Sequence, residues 1–167
     1  MIIHLIIIAL ILILGFHFSR KKDSESDYIR KKYIRIVCAI LLLQSGLRNV
    51  AVGSNTYVYF LSFNDSIRNS WQDVYQRIID FYSYNIGKDP GYSVFEKLVS
   101  STFPDYQFLL MVIAIIFFTA LGNFIYQNTT RLTDAMLAFV IYSVLFYSFF
   151  SITGHRQTIA TAAALYG

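Results

Sequence analysis

The chain has 167 residues, of which 56% are hydrophobic and 17% aromatic, and its mean hydropathy is +0.50. A soluble domain of this length does not need so much apolar surface, so the composition indicates a mainly helical integral membrane protein. The net charge of +4 does not indicate nucleic-acid binding, because many of the basic residues are concentrated between residues 20 and 32.

Two membrane spans are predicted at the start of the chain. Residues 2–18 are almost uniformly aliphatic, and a basic run follows them rather than preceding them, which argues against a cleaved signal peptide. The excess of Lys and Arg in residues 19–32 is typical of a cytoplasmic loop and places the N-terminus outside, whereas a lipid-headgroup site in this loop is the less favoured alternative. Residues 33–46 are predicted to form a second span that runs outward.

Residues 48–107 are predicted to form an outer segment, because their acidic and basic residues nearly cancel. Ser70 and Asp73 make a capping-box pattern, and apolar residues at helical spacing follow them. We therefore expect an amphipathic helix over residues 70–84 that lies on the membrane or on the helical bundle.

A second helix in this outer segment is predicted over residues 89–101. Asp89 is placed to cap its start, and Pro90 is placed in its first turn, where a missing N–H group costs nothing. Ser93 and Glu96 offer a second capping-box pattern a few residues later.

The rest of the chain is predicted to cross the membrane twice more. Residues 108–125 run inward and residues 135–152 run outward, and residues 158–166 begin another helix that is too short to span. The predicted fold is therefore an all-α, polytopic bundle with four transmembrane helices and the start of a fifth. We interpret residues 1–167 as a single integral membrane domain.

Two arginines are the strongest candidates for a binding site. Arg48 and Arg156 each follow an outward-running span, so the predicted topology places both on the outer face. His155 and Gln157 lie on either side of Arg156 in the sequence. Guanidinium groups bind phosphate bidentately and stay charged when partly buried. Taken alone, each arginine is better explained as an interface anchor or as the partner of a carboxylate, and only the pairing of the two makes an anion site an equal alternative. Asp89 is either a helix cap or a base.

The sequence predicts no cofactor and no metal. No His, Cys or Asp residues have the spacing of a metal site, and no P-loop, dinucleotide motif or nucleophile elbow is present. Cys38 is the single cysteine and lies in an apolar run, which excludes an internal disulfide.

Three motifs resemble those of the EpsG-like, Wzy-type exopolysaccharide polymerases. They are GLRNVAVGSNTY at residues 46–57, KDPGYSVFEKL at 88–98 and HRQTIA at 155–160. The resemblance covers the chain but only about the first half of such a protein, so the membrane domain is expected to be incomplete. It implies a bacterial inner-membrane enzyme of the large membrane-embedded glycosyltransferase group. Such enzymes join undecaprenyl-diphosphate-linked oligosaccharide repeats on the outer face, in exopolysaccharide or capsule biosynthesis.

The resemblance also implies roles for particular residues. Arg48 and Arg156 become candidates for binding the lipid diphosphate, together with His155 and Gln157, and Asp89 becomes a candidate catalytic base. The residues that complete the motifs are Gly53, Asn55, Thr56, Tyr57 and Gly91. The implied partners are the lipid-linked oligosaccharide, membrane lipids and other polysaccharide-assembly proteins, with no nucleic acid.

Two other functions are compatible with the sequence. A lipid-oligosaccharide flippase or transporter would need charged groups inside its spans, and only Arg35 lies near a predicted span. A non-catalytic, truncated membrane subunit is the second alternative.

The chain departs from the family pattern at one motif residue. The family often has aspartate where this chain has Asn55, which removes one possible carboxylate.

Overall fold

The computed structural model of the chain describes residues 2–20, 26–53, 55–147 and 154–166. Throughout these ranges the secondary structure is helical and contains no strand, which confirms the predicted all-α class. The helices are α1 (Ile2–Ser19), α2 (Asp27–Gly46), α3 (Thr56–Arg68), α4 (Trp71–Tyr84), α5 (Pro90–Thr102), α6 (Tyr106–Asn128), α7 (Leu132–Ile141), which continues as a π-helical turn (Tyr142–Phe146), and α8 (His155–Tyr166). The predicted end of the fourth span, residues 148–152, lies outside the described residues.

Helix α6 is the element around which the other helices are arranged. It packs against α2 and α8, while α1 packs against α7 and α2. The main core lies between these helices and includes the fully buried side chains of Tyr33, Val37, Leu41, Phe118 and Phe139. In a membrane, lipid tails are as apolar as these side chains, so close van der Waals packing between the helices, rather than removal from water, stabilises the bundle.

One described helix, α6, is long and apolar enough to cross a membrane. The segments Ile3–Ser19 and Leu132–Phe146 are apolar but shorter. Helix α2 is long enough, but several charged residues, including Asp27, Arg30 and Arg35, lie in its first half. The arrangement of four spans therefore stays a prediction.

The two helices predicted in the outer segment are present as α4 and α5. The predicted capping box at the start of α4 is confirmed: the Ser70 hydroxyl accepts a hydrogen bond from the Asp73 backbone at 3.2 Å, and the Asp73 carboxylate accepts one from the Ser70 backbone at 2.6 Å. The alternative capping box at Ser93 and Glu96 is wrong, because α5 begins at Pro90 and Glu96 lies buried within it.

The outer segment contains a third helix, α3, that the sequence did not predict. Its residues include several aromatic and β-branched side chains, which have low intrinsic helix propensity. Tertiary packing compensates for this low helix propensity. Phe63 is fully buried in a second core formed by α3, α5 and the first turns of α6. The buried Lys97 ammonium also donates to the backbone carbonyls of Ser66 and Asn69, at 3.1 and 2.7 Å, and so ties the C-terminal end of α3 to α5.

Candidate anion site

Arg48 and His155 contact each other although 107 residues separate them in the sequence. Arg48 follows the last turn of α2, and His155 is the first residue of α8, and both helices pack on α6. The Nη2 atom of Arg48 lies 2.6 Å from the Nε2 atom of His155. The Nη1 atom of the same arginine donates to the carbonyl and hydroxyl oxygens of Ser45, at 3.4 and 3.3 Å. The tertiary fold therefore joins two of the predicted anion-site residues directly.

This contact determines the protonation state of His155. A guanidinium group can only donate hydrogen bonds, so the Nε2 atom of His155 must be an unprotonated acceptor. The ring proton is then on Nδ1, which lies 3.3 Å from the hydroxyl oxygen of Tyr92 and donates to it. The ring is only 1% exposed. Burial, together with the positive charge of Arg48, lowers the pKa of His155 to about 3, so the imidazole is neutral at pH 7.

The polar network continues from Tyr92 to a buried carboxylate. Tyr92 and Glu96 lie four residues apart on the same face of α5, and Glu96 is only 2% exposed. The Ser62 hydroxyl of α3 donates to Oε2 of Glu96 at 2.9 Å. Burial raises the pKa of Glu96, and hydrogen bonds from Ser62 and Tyr92 act in the opposite direction. A chain of polar groups therefore connects Arg48 to Ser62.

Arg156 contacts the same set of rings. The side chains of Tyr59, Tyr92 and His155 form a ring cluster, in which His155 stacks on Tyr59 with centroids 4.2 Å apart. The guanidinium carbon of Arg156 lies 5.2 Å from the Tyr92 centroid and 5.8 Å from the Tyr59 centroid, within the range of cation–π attraction. Both candidate arginines therefore border one aromatic cluster.

Asp89 is the ion-pair partner of Arg156. Its Oδ2 atom lies 2.5 Å from Nη1 of the arginine, and the two side chains are 58% and 36% exposed. Asp89 occupies the predicted cap position before Pro90, but its backbone is left-handed, with φ of 47°, and its side chain makes no capping hydrogen bond. The carboxylate is thus directed to the arginine rather than to the helix.

The two arginines line different cavities. Arg48 lines a largely apolar cavity of about 800 Å³ bordered by α1, α2 and the π-helical turn, and His4 and Tyr147 also line it. Arg156 lines a smaller, polar cleft of about 340 Å³ in the outer segment, together with Ser62. The ring cluster and its hydrogen bonds connect the apolar cavity to the polar cleft.

Three of the motif-completing residues shape the turn between α2 and α3. Gly53 has φ of 103°, a left-handed conformation that favours glycine. Thr56 is fully buried, its hydroxyl donates to the Val52 carbonyl at 2.6 Å, and its own carbonyl accepts from the Tyr106 hydroxyl at 3.1 Å. Asn55 occupies the position before α3, with no hydrogen bond from its side chain to the helix. These three residues fix the conformation of the turn between α2 and α3, and Arg48 lies at the start of this turn.

The structure brings together four of the predicted site residues, namely Arg48, Asp89, His155 and Arg156. Tyr57, Gly91 and Gln157 are exposed, and within the described part of the chain they make no ring contact or side-chain hydrogen bond with the ring cluster. Four further residues of the network and the ring cluster were not predicted as site residues, namely Ser62, Tyr59, Tyr92 and Glu96. The spacing of four between Tyr92 and Glu96, inside a motif already singled out, was the one available signal.

Because the pKa of His155 is lowered on folding, acid should destabilise the protein through this residue. The unfolded imidazole takes up a proton below about pH 6.5, whereas the folded one does not until about pH 3, so its contribution to stability is complete above pH 6.5 and is lost as the pH falls. Between pH 7 and pH 5 we expect the wild type to lose about 1–2 kcal/mol more stability than the His155→Gln variant. Thermal unfolding in detergent at both pH values measures this difference. Equal pH dependence in both proteins would contradict a buried, neutral His155.

A model of the EpsG family matches residues 31–167, a range that includes the ring cluster, both arginines and the turn between α2 and α3. No curated protein and no solved structure gives a significant match. The match covers most of the chain and fits the apolar helix α6, because this is a family of membrane proteins. The chain belongs to the EpsG family.

Proposed function

We propose that the protein is a polysaccharide polymerase, a glycosyltransferase that acts on undecaprenyl-diphosphate-linked oligosaccharide repeats in exopolysaccharide or capsule biosynthesis. Family membership supports a role related to polysaccharide polymerisation. The observation that carries the proposal is the convergence of Arg48 and Arg156 on one ring cluster, the first beside an apolar cavity and the second beside a polar cleft.

This arrangement suits a substrate that is apolar at one end and strongly anionic in the middle. The polyprenyl chain would occupy the apolar cavity, and the diphosphate would lie at its polar end, where Arg48 is held. Sugars attached to the diphosphate would then reach the polar cleft beside Arg156, whose lining includes Asp80 and Ser93. Arginine suits the task because its planar fork grips two phosphate oxygens at once and keeps its charge when partly buried.

In the proposed reaction an acceptor hydroxyl attacks the anomeric carbon of the donor sugar. A new C–O bond forms, the bond from this carbon to the diphosphate oxygen breaks, and its electron pair leaves with the diphosphate. Negative charge therefore grows on the leaving group, where Arg48 and Arg156 would stabilise it. The hydroxyl proton passes to a carboxylate, for which we propose Asp89.

The ion pair between Asp89 and Arg156 gives this carboxylate a way of becoming available. In the free protein the Asp89 carboxylate is bound to the Arg156 guanidinium, with Oδ2 2.5 Å from Nη1. A bound diphosphate would compete for the same guanidinium and release the carboxylate toward the acceptor hydroxyl. The base would then be freed only when the donor is in place.

We further propose that the chain lies in the bacterial inner membrane with its N-terminus and the segment 48–107 outside. The support is the basic excess of residues 19–32, which favours the cytoplasm, and the nearly neutral charge of the outer segment. The diphosphate site would then face the outer surface, where the lipid-linked repeats are joined.

Replacing either arginine by lysine should sharply reduce polymer formation while leaving the protein in the membrane. Lysine keeps the charge but loses the bidentate geometry, so Arg48→Lys and Arg156→Lys should each slow polymerisation by about 30- to 1000-fold. Polymer yield is measured in cells that carry each substitution, with membrane levels checked by immunoblot. Arg68→Lys is the matched control, because Arg68 is an exposed arginine in the last turn of α3, and it should leave polymer unchanged. Near-normal polymer from both test variants would refute the shared anion site.

The proposed orientation predicts which residues an impermeant thiol reagent reaches. In a Cys38→Ser background, a cysteine at Ser83 should be labelled on intact cells, whereas a cysteine at Ser24 should react only after the membrane is permeabilised. Labelling of the Ser24 position from outside, with the Ser83 position protected, would reverse the orientation and move the arginines to the cytoplasmic side.

A further inference from the structure

A second cleft lies between α2 and α6, at the end of the bundle far from Arg48. Its volume is about 580 Å³. Lys31 and Arg35 line one part of it, beside the polar side chains of Asn123 and Gln127 on α6. Farther along α2 the lining becomes apolar, with Cys38, Ala39 and Leu42 facing Phe118 of α6. The cleft therefore changes from cationic to apolar along the helix axis.

The positive charge at the cationic end is not neutralised within the described part of the chain. Neither Lys31 nor Arg35 has a carboxylate within salt-bridge distance there. The nearby Asp27 is already engaged, because its Oδ1 pairs with Arg30 at 2.6 Å and its Oδ2 accepts from the Tyr126 hydroxyl at 2.8 Å. The ammonium of Lys31 lies 5.2 Å from the Tyr126 ring centroid, which places it at the cleft.

The length of the cleft matches one leaflet of a membrane. The twelve residues of α2 from Lys31 to Leu42 are joined by eleven steps, which at 1.5 Å per residue rise by about 16 Å. This is close to half of the hydrocarbon core of a bilayer, which is about 30 Å thick. Gly122 keeps the two helices close at the middle of the cleft, since a Cβ atom there would lie 2.9 Å from the Cys38 sulfur.

We propose that this cleft is a binding site for an anionic phospholipid. The phosphate lies against Lys31 and Arg35, and one acyl chain follows the apolar stretch past Cys38 and Leu42. Unspecific anchoring by basic residues explains the charges but not their continuation into an apolar groove of one leaflet's length. The site is separate from the proposed diphosphate site and does not depend on the proposed function.

Native mass spectrometry of the purified full chain tests the proposal, with phosphatidylglycerol and phosphatidylcholine as probes. The double variant Lys31→Gln/Arg35→Gln should bind phosphatidylglycerol about 30-fold more weakly than the wild type, because each basic contact with an anionic lipid contributes roughly fivefold. The matched control Arg20→Gln/Lys32→Gln removes the same charge from exposed residues that do not line the cleft, and should keep the wild-type affinity. Equal losses in both double variants would overturn the site in favour of diffuse electrostatic attraction.

A third variant tests the apolar part without changing any charge. Ala39→Trp fills the groove at an exposed position of α2, so it should also reduce phosphatidylglycerol binding by about tenfold or more, whereas phosphatidylcholine retention should be weak in every protein. Millimolar inorganic phosphate should not displace the lipid. Unchanged binding in Ala39→Trp, or full displacement by inorganic phosphate, would show that the cleft holds a phosphate group alone and would refute the lipid site.

Discussion

The hydrogen bond from Arg48 to His155 is the interaction on which the geometry of the candidate site depends. It joins the end of α2 to the start of α8, and it fixes the histidine as neutral with its proton on Nδ1. That proton in turn needs the Tyr92 oxygen as acceptor, and Tyr92 lies on α5 beside the buried Glu96. Because an unpaired buried polar group is costly, α2, α5 and α8 must meet in one geometry.

This constraint places the candidate anion site at a boundary between two environments. On one side the apolar cavity is lined by residues of α1, α2 and the π-helical turn, and on the other the polar cleft belongs to the outer segment. The exposed pair of Asp89 and Arg156 contrasts with the contact between Arg48, which is partly buried, and His155, which is fully buried. One arginine is therefore held by a neutral, buried histidine, whereas the other is held by an exposed carboxylate.

Local sequence signals predicted a large part of the fold. Apolar runs and capping patterns are properties of neighbouring residues, so the helices α4 and α5 and the cap at Ser70 followed from them directly. Helix α3 did not, because its stability comes from burying Phe63 against α5 and α6 rather than from its own helix propensity.

The candidate site was likewise predictable only in part. Sequence identified the arginines by residue type and topology, but the burial of Glu96 and the pairing of Asp89 are tertiary contacts that no local pattern encodes.

The most direct test of this account is the protonation state of His155 in the folded protein. Side-chain ¹⁵N NMR of histidine-labelled protein at pH 6 reports whether each ring is neutral and which nitrogen carries the proton, and the His155→Gln variant assigns the signal. We expect a neutral ring with its proton on Nδ1, even at a pH near the ordinary pKa of histidine. An imidazolium, or a neutral ring with its proton on Nε2, would contradict it, because in neither form can Nε2 accept the hydrogen bond from Arg48.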